Sequence, residues 1–425
     1  MSYALYHQCI RCGTIYDFKP MFYGCPACYS SKPANVRTHY DYEAIAKTFS
    51  PERLKERPPT MWRYHEFLPP DPENIVSIDE GFTPLIHCKN LGKKFEMSHL
   101  YVKDESLNPT WSFKDRMASA TASMAKQYGA RVLTAASSGN GGAAAAAYAA
   151  RANMDAIILT TMQMPETMRT LMQAYGAKLF ATETLAERWT VVNKGVADYG
   201  WFPVQNFNNP STGANSYAVD GCKTLGYETC EQLNWQLPDV VICPTGSGDT
   251  FTGMWYAFQE WSRMGYVRGN LPRMVAAEVF GPLENALARD LDHTESMPTG
   301  PTVGISVGVA NSAYQSLRTL RESKGIAMCA NDEEMLEAQM DLATGEGLYV
   351  EASAALALAV AKKLRKQGQL KEDDVVVVLS TSGGLKDPGV TQQMLPQIPL
   401  IQPTEEALRE ALQRVYHSEL HTPAL

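Results

Sequence analysis

Short β-branched runs alternate with longer stretches of helical periodicity through the middle of the chain. Arg131–Ala135, Ala156–Thr160, Val240–Cys243, Met274–Val279 and Val375–Leu379 read as strands. Asp115–Tyr128, Gly142–Ala152, Glu166–Tyr175, Phe251–Trp261 and Ala352–Lys363 read as helices. Strands that are apolar throughout, rather than at every second position, belong to parallel sheets covered on both faces. The pattern therefore predicts an α/β fold. Leu68-Pro69-Pro70-Asp71-Pro72 reads as a linker, and one more helix, Glu405 to Val415, is expected in the tail.

The chain has 425 residues, 45% hydrophobic and 20% charged, more than one average core uses, so two or three structural units are expected. A net charge of -8 argues against a general nucleic-acid binder. No apolar run reaches the roughly 18 residues that a membrane span needs. Met1 to Cys12 lacks a basic stretch followed by an apolar one, so no secretory signal is expected. A soluble, cytoplasmic protein is the expectation.

Four of the nine cysteines are organised as Cys9-x2-Cys12 and Cys25-x2-Cys28, with twelve residues between the pairs. Two such knuckles can bring four thiolates onto one tetrahedral zinc, closing the shell and making the metal structural. Gly13 and Gly24 flank them and permit tight turns. A redox dithiol pair, or a ribbon that has lost its metal, are the competing readings. Cys88, Cys222, Cys230, Cys243 and Cys329 are scattered and read as small buried hydrophobes.

Three glycine-containing loops follow predicted strands, where ligands of α/β sheets collect. In Cys243-Pro244-Thr245-Gly246-Ser247-Gly248-Asp249-Thr250, backbone amides can approach a phosphate at a helix N-terminus. Ala136-Ser137-Ser138-Gly139-Asn140-Gly141-Gly142 offers hydroxyls, an amide side chain and free backbone amides, a cradle for a carboxylate. Ser380-Thr381-Ser382-Gly383-Gly384 supplies hydroxyls with little bulk. Each loop taken alone could be a plain turn or a capped helix start. Ser112-Phe113-Lys114-Asp115-Arg116 opens a helix, and a lysine in that first turn is pushed towards its neutral, nucleophilic form. Beside a phosphate loop, such a lysine meets the requirement of a pyridoxal phosphate Schiff base.

At these residues the chain resembles the threonine synthase branch of the fold-type-II pyridoxal phosphate enzymes, over about residues 1–395. Further landmarks are Glu80-Gly81-Phe82-Thr83-Pro84-Leu85, Asn108-Pro109-Thr110, Glu346-Gly347, Val350-Glu351 and Gly384-Leu385-Lys386-Asp387-Pro388. The resemblance implies two open, twisted, mostly parallel sheets flanked by helices, plus a small zinc ribbon. The implied division is a ribbon at 1–40, an extension and the start of the cofactor domain at 41–110, a small domain at 111–220, a large one at 221–395 and a helical tail at 396–425. It also implies a homodimer acting on an amino acid.

The roles implied residue by residue are these. Lys114 forms the Schiff base and moves the Cα proton. Asn140 meets the ring oxygen, and Thr381 faces the pyridine nitrogen. Gly246, Ser247, Gly248, Asp249 and Thr250 form the phosphate loop. Trp111, Ser112, Ser137, Ser138, Gly139 and Asn140 surround the substrate. Cys9, Cys12, Cys25 and Cys28 hold zinc.

The departures from the family pattern concern the substrate and the phosphate loop. Trp111 and Asp249 stand where glycines are usual, and Ala218 stands where an arginine is expected to read the substrate phosphate. Asp249 would repel a phosphate unless it points away, for instance by capping the helix. Lys223, Arg151 and Lys103 are the cations that could replace the missing arginine. The sequence therefore points to elimination or replacement at Cβ or Cγ on something other than O-phosphohomoserine. The alternatives are threonine synthase proper, a cysteate-synthase-like or dehydratase activity, and a binding protein that retains the fold. Against the last, Met1–Tyr40 has only Arg11, Lys19, Lys32 and Arg37 as strong bases, too few to track a nucleic acid.

Overall fold

The computed structural model describes residues 1–29, 32–209 and 211–419. Met1–Lys386 forms one compact unit and Asp387–Leu425 a second. The second holds the helices Pro388–Gln392 and Glu405–Tyr416, the latter started by the Thr404 side chain, which accepts from the Ala407 amide.

The amino-terminal strands Ala4–Cys9, Ile15–Asp17 and Val36–Tyr40 form an antiparallel sheet with Ala4–Cys9 in the middle. Gly13 and Gly24 both have left-handed backbones, at φ 76° and 71°. A Cβ at Gly24 would come within 2.4 Å of the Ala34 carbonyl, so no other residue fits there.

The principal sheet has six strands in the order Ile326–Cys329, Arg273–Glu278, Val240–Pro244, Val375–Ser380, His99–Asp104 and Leu85–His87. All its pairings are parallel except that of Leu85–His87, at the edge. Val376, Val377, Val378 and Leu379 are almost fully buried because helices cover both faces. One face packs against Ala352–Lys366 through Leu356 and Val360, and the other carries Trp255, Phe258 and Trp261 of Asp249–Arg263. The uniformly apolar strands of the sequence are thus the doubly covered strands of the structure.

A second sheet orders Lys178–Thr182, Asp155–Thr161, Val132–Ala136 and Phe202–Pro203, all parallel. The helix Asn140–Arg151 lies on it, and its alanines Ala143 to Ala149 are buried. Small side chains allow that close approach. All ten elements assigned from pattern in the body of the chain are present, with ends shifted by a few residues. Strands Leu85–His87 and His99–Asp104 and helices Leu185–Tyr199 and Ser216–Gln232 were not anticipated. Their apolar runs are short or broken by polar residues that tertiary partners satisfy. No helix among the described residues is long and apolar enough to cross a membrane.

Candidate active site

Lys114 begins the helix Lys114–Gln127, immediately after a short irregular segment that is clamped to the third glycine loop. Ser112 bridges Ser382, the Phe113 amide donates to the Thr381 carbonyl at 3.0 Å, and the Gly383 amide donates to the Trp111 carbonyl at 3.1 Å. Trp111, Lys114 and Thr381 therefore share one rigid corner at the carboxyl end of Val375–Ser380. The Lys114 ammonium stands 3.5 Å from Met117 Sδ and 4.4 Å from the centroid of the Phe113 ring. Burial lowers its pKa, opposed by the charge of Asp249, with Cys222 also close by. Those two residues place the lysine tip against the phosphate loop, because Cys222 Sγ is 3.4 Å from Thr250 Oγ1.

The loop expected to take the phosphate, residues 246–250, is fixed from behind. Ser312 Oγ donates to the Gly246 carbonyl at 2.6 Å, and Ser316 Oγ donates to the Ser247 carbonyl at 3.1 Å. In a trans peptide the carbonyl and the following N–H point in opposite directions. With the two carbonyls held towards Ser312 and Ser316, the Ser247 and Gly248 amides face the other side, at the N-terminus of Asp249–Arg263. Gly248 has φ 80°, and a Cβ there would lie 1.7 Å from Ser316 Oγ. Asp249 does point away from that face, but it does not cap the helix. Its Oδ1 accepts from the Ala214 amide and from Gln315 Nε2, both at 2.7 Å, and its Oδ2 accepts from Ser247 Oγ at 2.6 Å. It braces the 211–215 segment against the loop.

Asn140 opens its helix and donates to Glu351, which precedes the helix Ala352–Lys366. Asn140 Oδ1, Ser112 Oγ and Ser382 Oγ are buried without a protein partner among the described residues. Ser112 pairs with Ser382, and Glu351 links Ser382 to Asn140, so the three oxygens lie on joined segments next to Lys114. With the outward amides of residues 246–250 they fit a polar aromatic aldehyde with a phosphate arm. The residues present thus suit pyridoxal phosphate.

Ala218, where an arginine was expected, is fully buried in an apolar cluster with Met117, Ala214 and Cys222. The three cations proposed as replacements have other partners. Lys223 pairs with Asp220 and Glu260, both at 3.2 Å. Lys103 pairs with Glu228 at 2.8 Å, and Arg151 donates to the Ser77 carbonyl. Trp111, also at a glycine position, is about half exposed and has φ 59°. The backbone there is the left-handed one that glycine adopts without strain.

Two charged residues of the site had no assigned role at the sequence level. Lys386 is buried, donates to the Thr110 carbonyl, and has its pKa pushed down to about 8 by burial, against the charges of Glu351 and Asp115. Asp115 has its pKa pushed up to about 7, also by burial, while one of its oxygens accepts from Thr110 Oγ1 at 2.9 Å. The run Gly384-Leu385-Lys386 was visible as a motif, but nothing in it says that the lysine turns inward.

In the ribbon, the sulfurs of Cys9, Cys12, Cys25 and Cys28 all lie within 4.8 Å of one another. Cys9 to Cys28 is 3.8 Å and Cys12 to Cys25 is 3.7 Å. A tetrahedron with metal–sulfur bonds of about 2.3 Å has sulfurs about 3.8 Å apart, so the donor set fits a zinc-sized ion. The Arg11 and Cys12 amides donate to Cys9 Sγ at 3.3 and 3.4 Å.

Residues 76–382 match the family described as pyridoxal-phosphate dependent enzymes. The chain belongs to that family. It is 35% identical to the threonine synthase of Methanocaldococcus jannaschii over 391 residues, covering 90% of this chain and 93% of the relative. It is 31% identical to that of Methanosarcina acetivorans over 416 residues, covering 96% and 99%. Among solved structures, a fungal L-serine ammonia-lyase from Rhizomucor miehei superposes with TM-score 0.63 at 22% identity, covering 73% of this chain and 96% of the other. Maize serine racemase gives TM-score 0.62 at 20% identity, covering 73% and 91%. The protein is a pyridoxal-phosphate-dependent, threonine-synthase-like lyase of fold type II with a four-cysteine cluster at its amino end.

Proposed function

We propose that this enzyme eliminates or replaces a substituent at Cβ or Cγ of an amino acid, and that O-phosphohomoserine is not its preferred substrate. The observation that carries the second part is Ala218, sealed among Met117, Ala214 and Cys222 while Lys103, Lys223 and Arg151 are held by other groups. Bound pyridoxal phosphate supplies the electron sink that makes the Cα proton acidic. Lys114 holds the cofactor and carries that proton, and its low-polarity setting favours the neutral amine such a task needs. The Ser247 and Gly248 amides hold the phosphate. Asn140 meets the ring oxygen. The neutral hydroxyl of Thr381 faces the ring nitrogen, an arrangement that suits elimination and replacement better than transamination. Ser137 and Ser138 take the substrate carboxylate, and Trp111 at the exposed corner limits side-chain size. The four cysteines hold one structural zinc. A cytoplasmic homodimer completes the proposal.

The second reading is threonine synthase proper, and the 35% identity to the Methanocaldococcus jannaschii enzyme favours it. Steady-state kinetics decide between the two. O-phosphohomoserine is compared with serine, threonine and their O-substituted analogues. A kcat/KM on O-phosphohomoserine of about 10⁴ M⁻¹s⁻¹ or more, above all the others, establishes the second reading.

A further inference from the structure

Beside the Ser137–Gly142 loop stands an arginine that no sequence motif singles out. Arg188 occupies the first turns of Leu185–Tyr199, a helix whose start is set by reciprocal bonds between Thr184 and Glu187. Only 9% of it is exposed, and its Nη1 donates to Ser138 Oγ at 3.3 Å. Thr160, near the carboxyl end of the neighbouring strand Asp155–Thr161, donates to the same Oγ at 2.9 Å.

With Arg188 donating from one side and Thr160 on another, the Ser138 hydroxyl can turn its own proton to a third group, which must be an acceptor. A negatively charged acceptor placed there receives that hydroxyl bond and the field of a guanidinium at short range. Burial lowers the pKa of Arg188, but a guanidinium stays charged at any working pH. The fold thus holds a mostly buried guanidinium against the loop. The loop has room for an anion. A Cβ built on Gly139 meets nothing within 4 Å, and the loop leads into the 12-residue helix Asn140–Arg151.

We infer that Arg188 is a positioning residue for the substrate α-carboxylate, acting through and beside Ser138. The inference rests on the proposed function and deepens it. The anion is assigned to the α-carboxylate because Arg188 reaches Ser138, in the small-sheet loop. The family's phosphate-reading position belongs to a different element, the helix Ser216–Gln232, where Ala218 now stands. The enzyme would then select α-amino acids over simple amines at a point remote from the leaving group.

The test is a titration of the cofactor absorbance of the holoenzyme with L-serine, with O-phospho-L-serine, and with 2-aminoethanol, which is serine without its carboxylate. In Arg188→Ala the apparent Kd should rise about tenfold or more for both amino acids and stay within about twofold for 2-aminoethanol. Arg188→Lys should recover part of the loss, and it serves alone if the alanine variant does not fold. Ser138→Ala combined with Arg188→Ala should weaken binding by less than the product of the single effects. Curves for L-serine that superimpose on those of the wild type overturn the inference. So does equal weakening of 2-aminoethanol, or weakening confined to O-phospho-L-serine. Absence of the cofactor band in the wild type itself would instead defeat the functional proposal.

Discussion

The side-chain amide of Asn140 spans the carboxylate of Glu351, donating to Oε1 at 3.2 Å and to Oε2 at 3.1 Å. One residue opens a helix on the small sheet and the other precedes a helix on the large sheet, so the contact ties the two sheets together at the proposed cofactor site. It also leaves Asn140 Oδ1 as a buried oxygen without a protein partner among the described residues. Glu351→Gln replaces one of the two acceptors with a donor, and that NH2 can capture the Asn140 oxygen. The cofactor Kd should rise about tenfold, in line with the loss of one charge-assisted bond. Equilibrium dialysis followed by fluorescence of released cofactor measures it, and unchanged retention would exclude Glu351 from the cofactor site.

Lys114→Ala should abolish turnover and the visible Schiff-base band while the cofactor still binds without a covalent link. Its phosphate loop and Asn140 are untouched by the change. Residual activity above a few per cent on a substrate that the wild type turns over would exclude the lysine assignment.

Trp111 adopts φ 59°, a conformation that costs a residue with a Cβ about 1–2 kcal/mol. Trp111→Gly should therefore be more stable than Trp111→Ala by about 1 kcal/mol in urea denaturation, the reverse of the usual order of these two residues. Both variants should accept bulkier amino-acid side chains than the wild type does. If alanine proves the more stable, the strain argument is wrong.

Asp115 gives a pH dependence of definite sign. Its carboxyl is raised to about 7 by burial, against about 3.9 in an unfolded chain. The folded state retains a proton that the unfolded state has released, so stability falls as pH rises from about 4 through 7. Three units correspond to a cost on the order of 4 kcal/mol by pH 8. Asp115→Asn should remove that slope. Urea midpoints at pH 5 and pH 8 measure it, and parallel loss in both proteins would point to a different group.

The ribbon connects to the phosphate loop through a chain of hydrogen bonds. Asn35 Nδ2 donates to the Ala214 carbonyl at 2.7 Å and to Gln315 Oε1 at 3.0 Å, and Gln315 in turn donates to Asp249. Removing metal with a chelator should lower Tm and also weaken cofactor retention, by about threefold to tenfold. Asn35→Ala should reproduce the cofactor effect with the metal in place. If metal-free protein retains cofactor as well as the loaded form, the ribbon is insulated from the site.

Much of this enzyme was legible in the sequence. Uniformly apolar strands such as Val375–Leu379 can exist only between two covering layers, so the α/β class follows from composition and period. The paired cysteines were readable, and the glycine loops and Lys114 could be picked out as candidates, because such chemistry depends on residue type and short spacing, which the chain carries locally. What the chain could not show is where its charges turn. Lys103, Lys223 and Arg151 looked available, yet folding gives each a partner distant in sequence. Asp249 looked hostile to a phosphate, yet the Ala214 amide and Gln315 draw its carboxylate aside. Arg188 had no motif at all, and it reaches Ser138 because the parallel strands Val132–Ala136, Asp155–Thr161 and Lys178–Thr182 send their following segments to the same end of the small sheet, where the long arginine side chain spans the middle strand. Burial and long-range hydrogen bonding decide the direction and the charge state of a side chain. Both are properties of the assembled core, set by residues far away along the chain.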